Sequence, residues 1–399
     1  MKVLAVIITS PGYSASGAVT AAKNLSIATS KLCDMRLAVM SNKNSEEKKD
    51  NLIIKNFKCQ NILSKISGII PSQLKNYFWT SEIDKYIEDF KPDVVHFHNP
   101  VPPMALWKLA QACIKNKIPY VISSHGFVEM LDYKKSYNIG VFKGFAIDPM
   151  IMSPFLKTLK NADGIFLLSP VERKILENNI SFNKRINIVS NGYDKKFDTV
   201  INTELVEKCI AKFNIRTAIP TFLFMGNHTY NKGIDIILNA LKYIDLDFQV
   251  LIGGKIRSEK ENKTLIANCE LLKNEDRFIF TDFLTDEEAI ALYTIADCFV
   301  FPSRADTFPL VILEAMISSL PIISTNIGGI PYQVNKDCGI LIEPNSPKEL
   351  ARAMQEIISR PQQILKMGQS SRKRVLEKFS WDISAEIAIS EYSKILSDS

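Results

Sequence analysis

Long apolar runs, a dinucleotide fingerprint, paired cysteines and a recognisable base–nucleophile pair are all missing from this 399-residue chain. No stretch approaches the roughly 18 uninterrupted apolar residues of a membrane span, which sets aside an integral membrane protein. The seven cysteines, Cys33, Cys59, Cys113, Cys209, Cys269, Cys298 and Cys338, are odd in number and scattered, with no Cys-x-x-Cys pair. That distribution points to reduced thiols and a cytoplasmic setting. The glycine turn after the first apolar run lacks the Gly-x-Gly-x-x-Gly spacing, which disfavours a dehydrogenase. Histidine is scarce, four in all, so its placement is informative. The opening run Met1–Thr9 is short and β-branched, and it leads into a Gly/Ser turn without a small-residue cleavage pattern. It reads as a buried strand, not a signal peptide.

What is present suits two soluble domains of about 200 residues each, with a cleft expected between them. Hydrophobic residues make up 46% and charged residues 23%, the balance of a globular protein. The net charge of +6 is uneven: residues 1–200 carry 27 Lys/Arg against 17 Asp/Glu, and residues 201–399 carry 22 against 26. A basic N-terminal half could attract nucleic acid, an anionic membrane surface or a phosphate-bearing substrate, or could simply be a solvated Lys-rich surface.

Short apolar runs at 2–9, 35–40, 93–97, 119–123, 164–168 and 186–189 alternate with amphipathic segments. A second series follows at 220–226, 246–252, 277–280, 297–301, 320–324 and 339–342. This βα repetition predicts an α/β fold with two doubly wound parallel sheets. The polar segment from Asn191-Gly192-Tyr193-Asp194 to about residue 200 reads as the linker, with the boundary near 192. The tail from about 346 to 396 reads as helical, with start signals at Ser346-Pro347 and Asp382.

Ligands of such sheets sit at the C-terminal ends of strands. There the run 297–301 leads into Pro302-Ser303-Arg304-Ala305-Asp306-Thr307-Phe308-Pro309, and Pro309 stands where a helix would start. Free amides and the positive helix end at Pro309-Leu310-Val311 suit a diphosphate, flanked by the carboxylates of Asp306 and Glu314. A carboxylate accepts hydrogen bonds from sugar hydroxyls, each charge-assisted bond contributing roughly 1.5–3 kcal/mol. Three of the four histidines, His96, His98 and His125, also fall at strand ends, with His96 and His98 on one face by the period of two. No cysteine or carboxylate completes a zinc-ligand spacing with them.

The stretch Pro302–Met316 resembles the donor-site pattern Pro-Ser-Arg-x-Glu-x-Phe-x-Leu-Val-x-Leu-Glu-Ala-Met of the retaining glycosyltransferases with GT-B architecture. Asp306 replaces the first Glu, a loss of about 1.5 Å of reach. The turn Met225 to Gly233 is similar to that family's Gly-Arg…Lys-Gly turn, with Asn227 in the Arg position and Lys232 kept. Gly12-Tyr13-Ser14-Ala15-Ser16-Gly17-Ala18 stands where the family's phosphate-closing loop does. The resemblance implies two Rossmann-like domains facing a central cleft: 1–192 for the acceptor, 193–380 for the donor, and a helix at about 381–397 packing back on the first.

It further implies a donor held by Gly17, Gly226, Asn227, Lys232, Arg304, Asp306, Thr307, Phe308, Leu310, Val311 and Glu314. Glu314 would take the ribose, Asp306 and His125 the sugar, Lys232 and Arg304 the diphosphate, while His96, His98 and Asn99 would line the acceptor groove. The expected reaction moves a hexosyl unit from a nucleoside diphosphate sugar to a hydroxyl of a saccharide or lipid-linked saccharide, in bacterial surface polysaccharide synthesis. His125, Asp306 and Lys232 would be catalytic, with no metal, no cofactor and no nucleic acid. Asp245-Leu246-Asp247, an Asp-x-Asp pair that binds metal in a single-lobed architecture, precedes a strand and so lies at the wrong edge. The mixed basic and aromatic segments 74–79 and 131–137 suit loose peripheral contact with a membrane. Alternatives are a nucleotide-sugar epimerase of the same architecture and a non-catalytic sugar-nucleotide-binding partner.

Overall fold

The structure, a computed structural model, describes residues 1–10, 17–62, 78–99, 101–125, 152–180, 182, 184–199, 202–254, 277–282 and 284–398. The chain divides into two compact units, Met1–Asn191 with Trp381–Ser399, and Gly192–Ser380.

In the N-terminal unit the strands are β1 (Lys2–Ile7), β2 (Asp34–Ser41), β3 (Ser45–Lys49), β4 (Leu52–Lys58), the short β5 (Gln60–Asn61) and β6 (Trp79–Thr80), β7 (Val94–His98), β8 (Tyr120–Ser123), β9 (Gly164–Leu167) and β10 (Arg185–Ile188). The main sheet runs β10-β9-β8-β7-β1-β2-β4-β3, parallel except for β3. Strand β1 is apolar and buried from Val3 onward because helices cover both of its faces. Val3, Ala5 and Ile7 pack with the helices Gly17–Thr29 and Trp381–Asp398; Leu4, Val6 and Ile8 pack with the helices Ile83–Phe90 and Pro103–Lys115. Strand β3, Ser-Glu-Glu-Lys-Lys, is exposed at every residue and caps the sheet with charges that oppose edge-to-edge pairing.

The C-terminal unit holds β11 (Thr221–Met225), β12 (Gln249–Gly253), β13 (Phe278–Asp282), β14 (Cys298–Phe301), β15 (Ile322–Thr325) and β16 (Gly339–Ile342). Their order is β13-β12-β11-β14-β15-β16, and the pairs are all parallel. Strand order reverses between β1 and β7 in the first sheet and between β11 and β14 in the second. Those reversals are the switch points where open α/β sheets bind ligands.

Two start signals can be placed in the helical tail. Ser346 Oγ accepts from the Glu349 amide at 3.4 Å and caps the helix Pro347–Ser359. The last helix begins at Trp381, so Asp382 lies inside its first turn and does not precede it. Among the described residues, no helix is long and apolar enough to cross a membrane.

Candidate functional site

At the switch point of the C-terminal sheet, the loop after β14 is wedged between the loop after β11 and the one after β15. The Arg304 amide and the Ser303 hydroxyl both donate to the Asn231 carbonyl, at 2.7 and 2.9 Å. On the other side the Gly329 amide donates to the Thr307 carbonyl at 2.7 Å. Two glycines make this fit possible. Gly233 (φ 75°) and Gly328 (φ 50°) are left-handed, and a Cβ would collide with the Pro302 carbonyl at the first and the Asp306 carbonyl at the second.

This clamp brings Lys232 and Asp306 together. Lys232 Nζ meets Asp306 Oδ2 at 2.5 Å and lies 5.4 Å from the Phe301 ring centroid. Neither side chain is sealed, at 26% and 15% exposure, so both can exchange this partner for a ligand. Beyond them Pro309 is the cap residue, and the helix runs Leu310–Ile317. Thr307, Leu310, Val311 and Glu314 are half-buried while Ile312, Leu313, Ala315 and Met316 are buried, so the former share the accessible side of this helix start.

Two expectations need correction here. Arg304 has no free fork for a diphosphate. Its Nη atoms hold both Asp235 oxygens at 2.7 Å, Nη1 also donates to the Tyr230 carbonyl, Nε donates to Asn345 Oδ1, and the guanidinium stacks 3.8 Å from the Tyr230 ring. Arg304 therefore fastens the loop. The Phe308 side chain is only 4% exposed and packs edge-on against Phe379, so it supports the loop from beneath. Asn227, as expected without a cation to offer, is half-buried in the turn that starts at Gly226, with its carbonyl accepting from the Thr229 amide at 2.9 Å.

Glu314 has a more unusual setting. Its Oε2 accepts from the Tyr293 hydroxyl at 3.0 Å, whereas Oε1 has no hydrogen bond to a described residue. Burial raises the Glu314 carboxyl to about 7, opposed by Tyr293 and Lys196 and reinforced by Asp194 and Asp286.

The corresponding edge of the N-terminal sheet is built from neutral polar groups. His96 and His98 lie 3.9 Å apart between ring centroids, tilted by 35°, on the face that carries Tyr392. His96 does not line a groove: it is fully buried, its Nδ1 bonded to the Tyr392 hydroxyl at 2.6 Å and its Nε2 to Ser123 Oγ at 2.7 Å. Burial lowers its ring to about 3. Both nitrogens are spent, Nδ1 on joining the last helix to the sheet and Nε2 on the neighbouring strand β8.

His98 differs. It is 1% exposed and its Nε2 has no partner among the described residues, while Nδ1 lies 3.5 Å from Nε2 of the half-buried His125. Burial pushes His98 well below the ordinary range and His125 down to about 4, so both rings are neutral at pH 7. Asn99, left-handed at φ 74°, donates from Nδ2 to the Ile8 carbonyl and ties the ends of β1 and β7 together. Gly17 opens its helix in open space, with no described atom within 4 Å of where a Cβ would sit, and residues 11–16 before it lie outside the described residues. So do 131–137 and 74–77, while Asp247 pairs with Arg216 at the N-terminal end of β12.

Residues 206–374 match the family described as Glycosyl transferases group 1, and residues 15–197 match Glycosyltransferase Family 4. The chain belongs to the group 1 glycosyltransferases. An uncharacterized glycosyltransferase of Methanocaldococcus jannaschii is 26% identical over 302 residues, 74% of this chain and 74% of that protein. The D-rhamnosyltransferase WbpZ of Pseudomonas aeruginosa is 26% identical over 292 residues, 72% of this chain and 70% of that protein. Anabaena HepE, solved in complex with UDP, matches with a TM-score of 0.74 and 15% identity over 99% of this chain and 100% of its own, a likeness of fold. The architecture of this glycosyltransferase is GT-B, with two α/β units.

Two polar residues of the glycosyltransferase escaped the sequence reading. Glu172, 4% exposed, accepts from Ser124 Oγ at 2.8 Å and from the Leu168 amide at 2.6 Å, so it braces the residue next to His125. The signal was Ser169-Pro170-Val171-Glu172, a helix-start pattern. Tyr293 was missed because nothing local distinguishes it from a core aromatic.

Proposed function

We propose that this glycosyltransferase moves a hexosyl unit, with retention of configuration, from a nucleoside diphosphate sugar to a hydroxyl of a saccharide or lipid-linked saccharide. The observation that carries the donor reading is the Lys232–Asp306 pair beside the start of the helix Leu310–Ile317. A diphosphate offers Lys232 a stronger anion, and the helix amides supply further donors. Sugar hydroxyls then satisfy Asp306. Each partner of the pair thus anticipates one end of the pyrophosphate–sugar linkage. Glu314, with Oε1 uncommitted, accepts from the ribose.

In the step itself the acceptor oxygen bonds to the anomeric carbon on the face from which the phosphate departs, and the acceptor proton passes to the departing phosphate oxygen. Charge gathers on the diphosphate, and Lys232 and the amides stabilise it without a metal. In this reading the neutral His125 donates to the sugar, and His98 and Asn99 serve the acceptor. HepE was solved with UDP and a named relative is a D-rhamnosyltransferase, which supports a nucleotide-activated sugar donor.

Kinetics with the preferred donor provide the test. Glu314→Ala should raise the donor KM far more than it alters acceptor KM, and Asp306→Ala should mainly lower kcat. Equal small effects from both would remove the assignment. Product formed without any acceptor would favour an epimerase instead.

A further inference from the structure

We propose that Tyr293 is the positioning residue for Glu314, and that Lys196 on the segment entering the C-terminal unit keeps this carboxylate able to accept from a ribose; this rests on the donor reading above. A carboxylate has two oxygens, and Tyr293 occupies one of them. Its hydroxyl donates to Oε2 at 3.0 Å, with the Val311 carbonyl, 3.5 Å away, as the poorer acceptor. That single bond fixes the carboxyl plane and leaves Oε1 for the ligand.

The tyrosine cannot drift. It is 1% exposed, with Phe197 edge-on at 5.3 Å and Phe299 at 5.8 Å between ring centroids. Phe197 belongs to the tight turn Lys195–Phe197, which Asp194 caps by accepting from the Lys196 amide at 3.1 Å. The same turn carries Lys196, whose Nζ lies 2.9 Å from Asp286 and 3.7 Å from Asp194. Asp286 and Tyr293 sit on one helix, Asp286–Ile295. One turn therefore sets both the orientation and the electrostatic surroundings of Glu314.

The groups facing Glu314 oppose one another, and burial prevails. Burial, Asp194 and Asp286 favour the protonated acid; Tyr293 and Lys196 favour the carboxylate. A protonated carboxyl turns one oxygen into a donor and loses the charge that strengthens acceptance at the other, so near neutrality a lost donor or cation translates into weaker ribose binding.

The test is calorimetric titration of the full chain with UDP and with GDP, and with their 2′,3′-dideoxy forms, between pH 5.5 and 9. Whichever of UDP and GDP binds more tightly serves throughout. Tyr293→Phe keeps the ring and should weaken binding about tenfold at pH 7, with little effect on the dideoxy form. Lys196→Met should move the acid limb of the affinity profile upward by about one pH unit, and Lys196→Arg should restore it. In a Glu314→Gln background the limb should vanish and neither substitution should change affinity further. Folded variants, judged by unchanged melting, that bind like wild type at every pH would overturn the proposal. So would effects of the same size on the dideoxy ligand. If Glu314→Gln itself left affinity unchanged, the ribose assignment would fall, and with it this role.

Discussion

The two sheet edges hold their polar residues by opposite means. In the C-terminal unit, charges are kept and neutralise one another, Lys232 against Asp306 and Arg304 against Asp235. In the N-terminal unit, charge is removed: His96, His98 and His125 sit where burial suppresses the imidazolium form. The difference teaches how the edges are divided by chemistry. A surface meant for an anion must store cations, and an internal carboxylate lets it do so without leaving a desolvated charge unpaired. A surface meant for sugar hydroxyls needs neutral donors and acceptors, which buried imidazoles supply.

The largest effect that sharpens this contrast comes from removing the stored cation. Lys232→Ala should lower kcat about 100- to 1,000-fold in steady-state assays, whereas Arg304→Lys should show its main loss as stability, about 2 kcal/mol in urea unfolding. Comparable turnover losses from both would return Arg304 to the diphosphate.

The histidines give a smaller, cleaner split. His96→Leu strands the Tyr392 and Ser123 hydroxyls and should cost about 1–3 kcal/mol in denaturant melts, with turnover per folded molecule unchanged. His125→Ala should do the reverse, lowering kcat with little change in melting. A catalytic defect in His96→Leu would break the distinction.

The smallest effect is a difference of sign. Glu314 titrates at about 7 in the folded chain against an ordinary value near 4.5, so the folded state binds the proton more tightly. Its contribution is full below about pH 4.5 and is lost as pH rises to about 7. The histidines, lowered by burial, oppose folding progressively as pH falls below about 6.5. Between those limits the two edges pull stability in opposite directions. Glu314→Gln should raise melting stability at pH 8 by on the order of 1 kcal/mol and do nothing at pH 4.5. A gain of equal size at both pH values would contradict the linkage.

Much of the fold was legible because buried parallel strands are written as apolar runs, and each of the twelve expected runs overlaps a strand between β1 and β16. Strand β3 was not, since the exposed edge Ser-Glu-Glu-Lys-Lys carries no burial signal, and in β4 the apolar start Leu52-Ile53-Ile54 gives way to half-buried polar residues. At the site, residue types were readable but their pairings were not. His96 meets its partner Tyr392 across 296 residues, and Lys232 meets Asp306 across 74. Arg304 looked like a phosphate ligand because of the motif that carries it; only the fold shows Asp235 and Asn345 closing on its guanidinium.

The central claim is that the Lys232–Asp306 pair is exchanged for a nucleoside diphosphate sugar. Thermal melting of the full chain against a panel of such sugars tests it most directly, because a ligand at about 100 times its Kd adds roughly 2.7 kcal/mol. The expected result is stabilisation of the wild-type chain by at least one of them, with most of that shift lost in Lys232→Ala. Equal shifts in both proteins, or none in the wild type, would contradict the account.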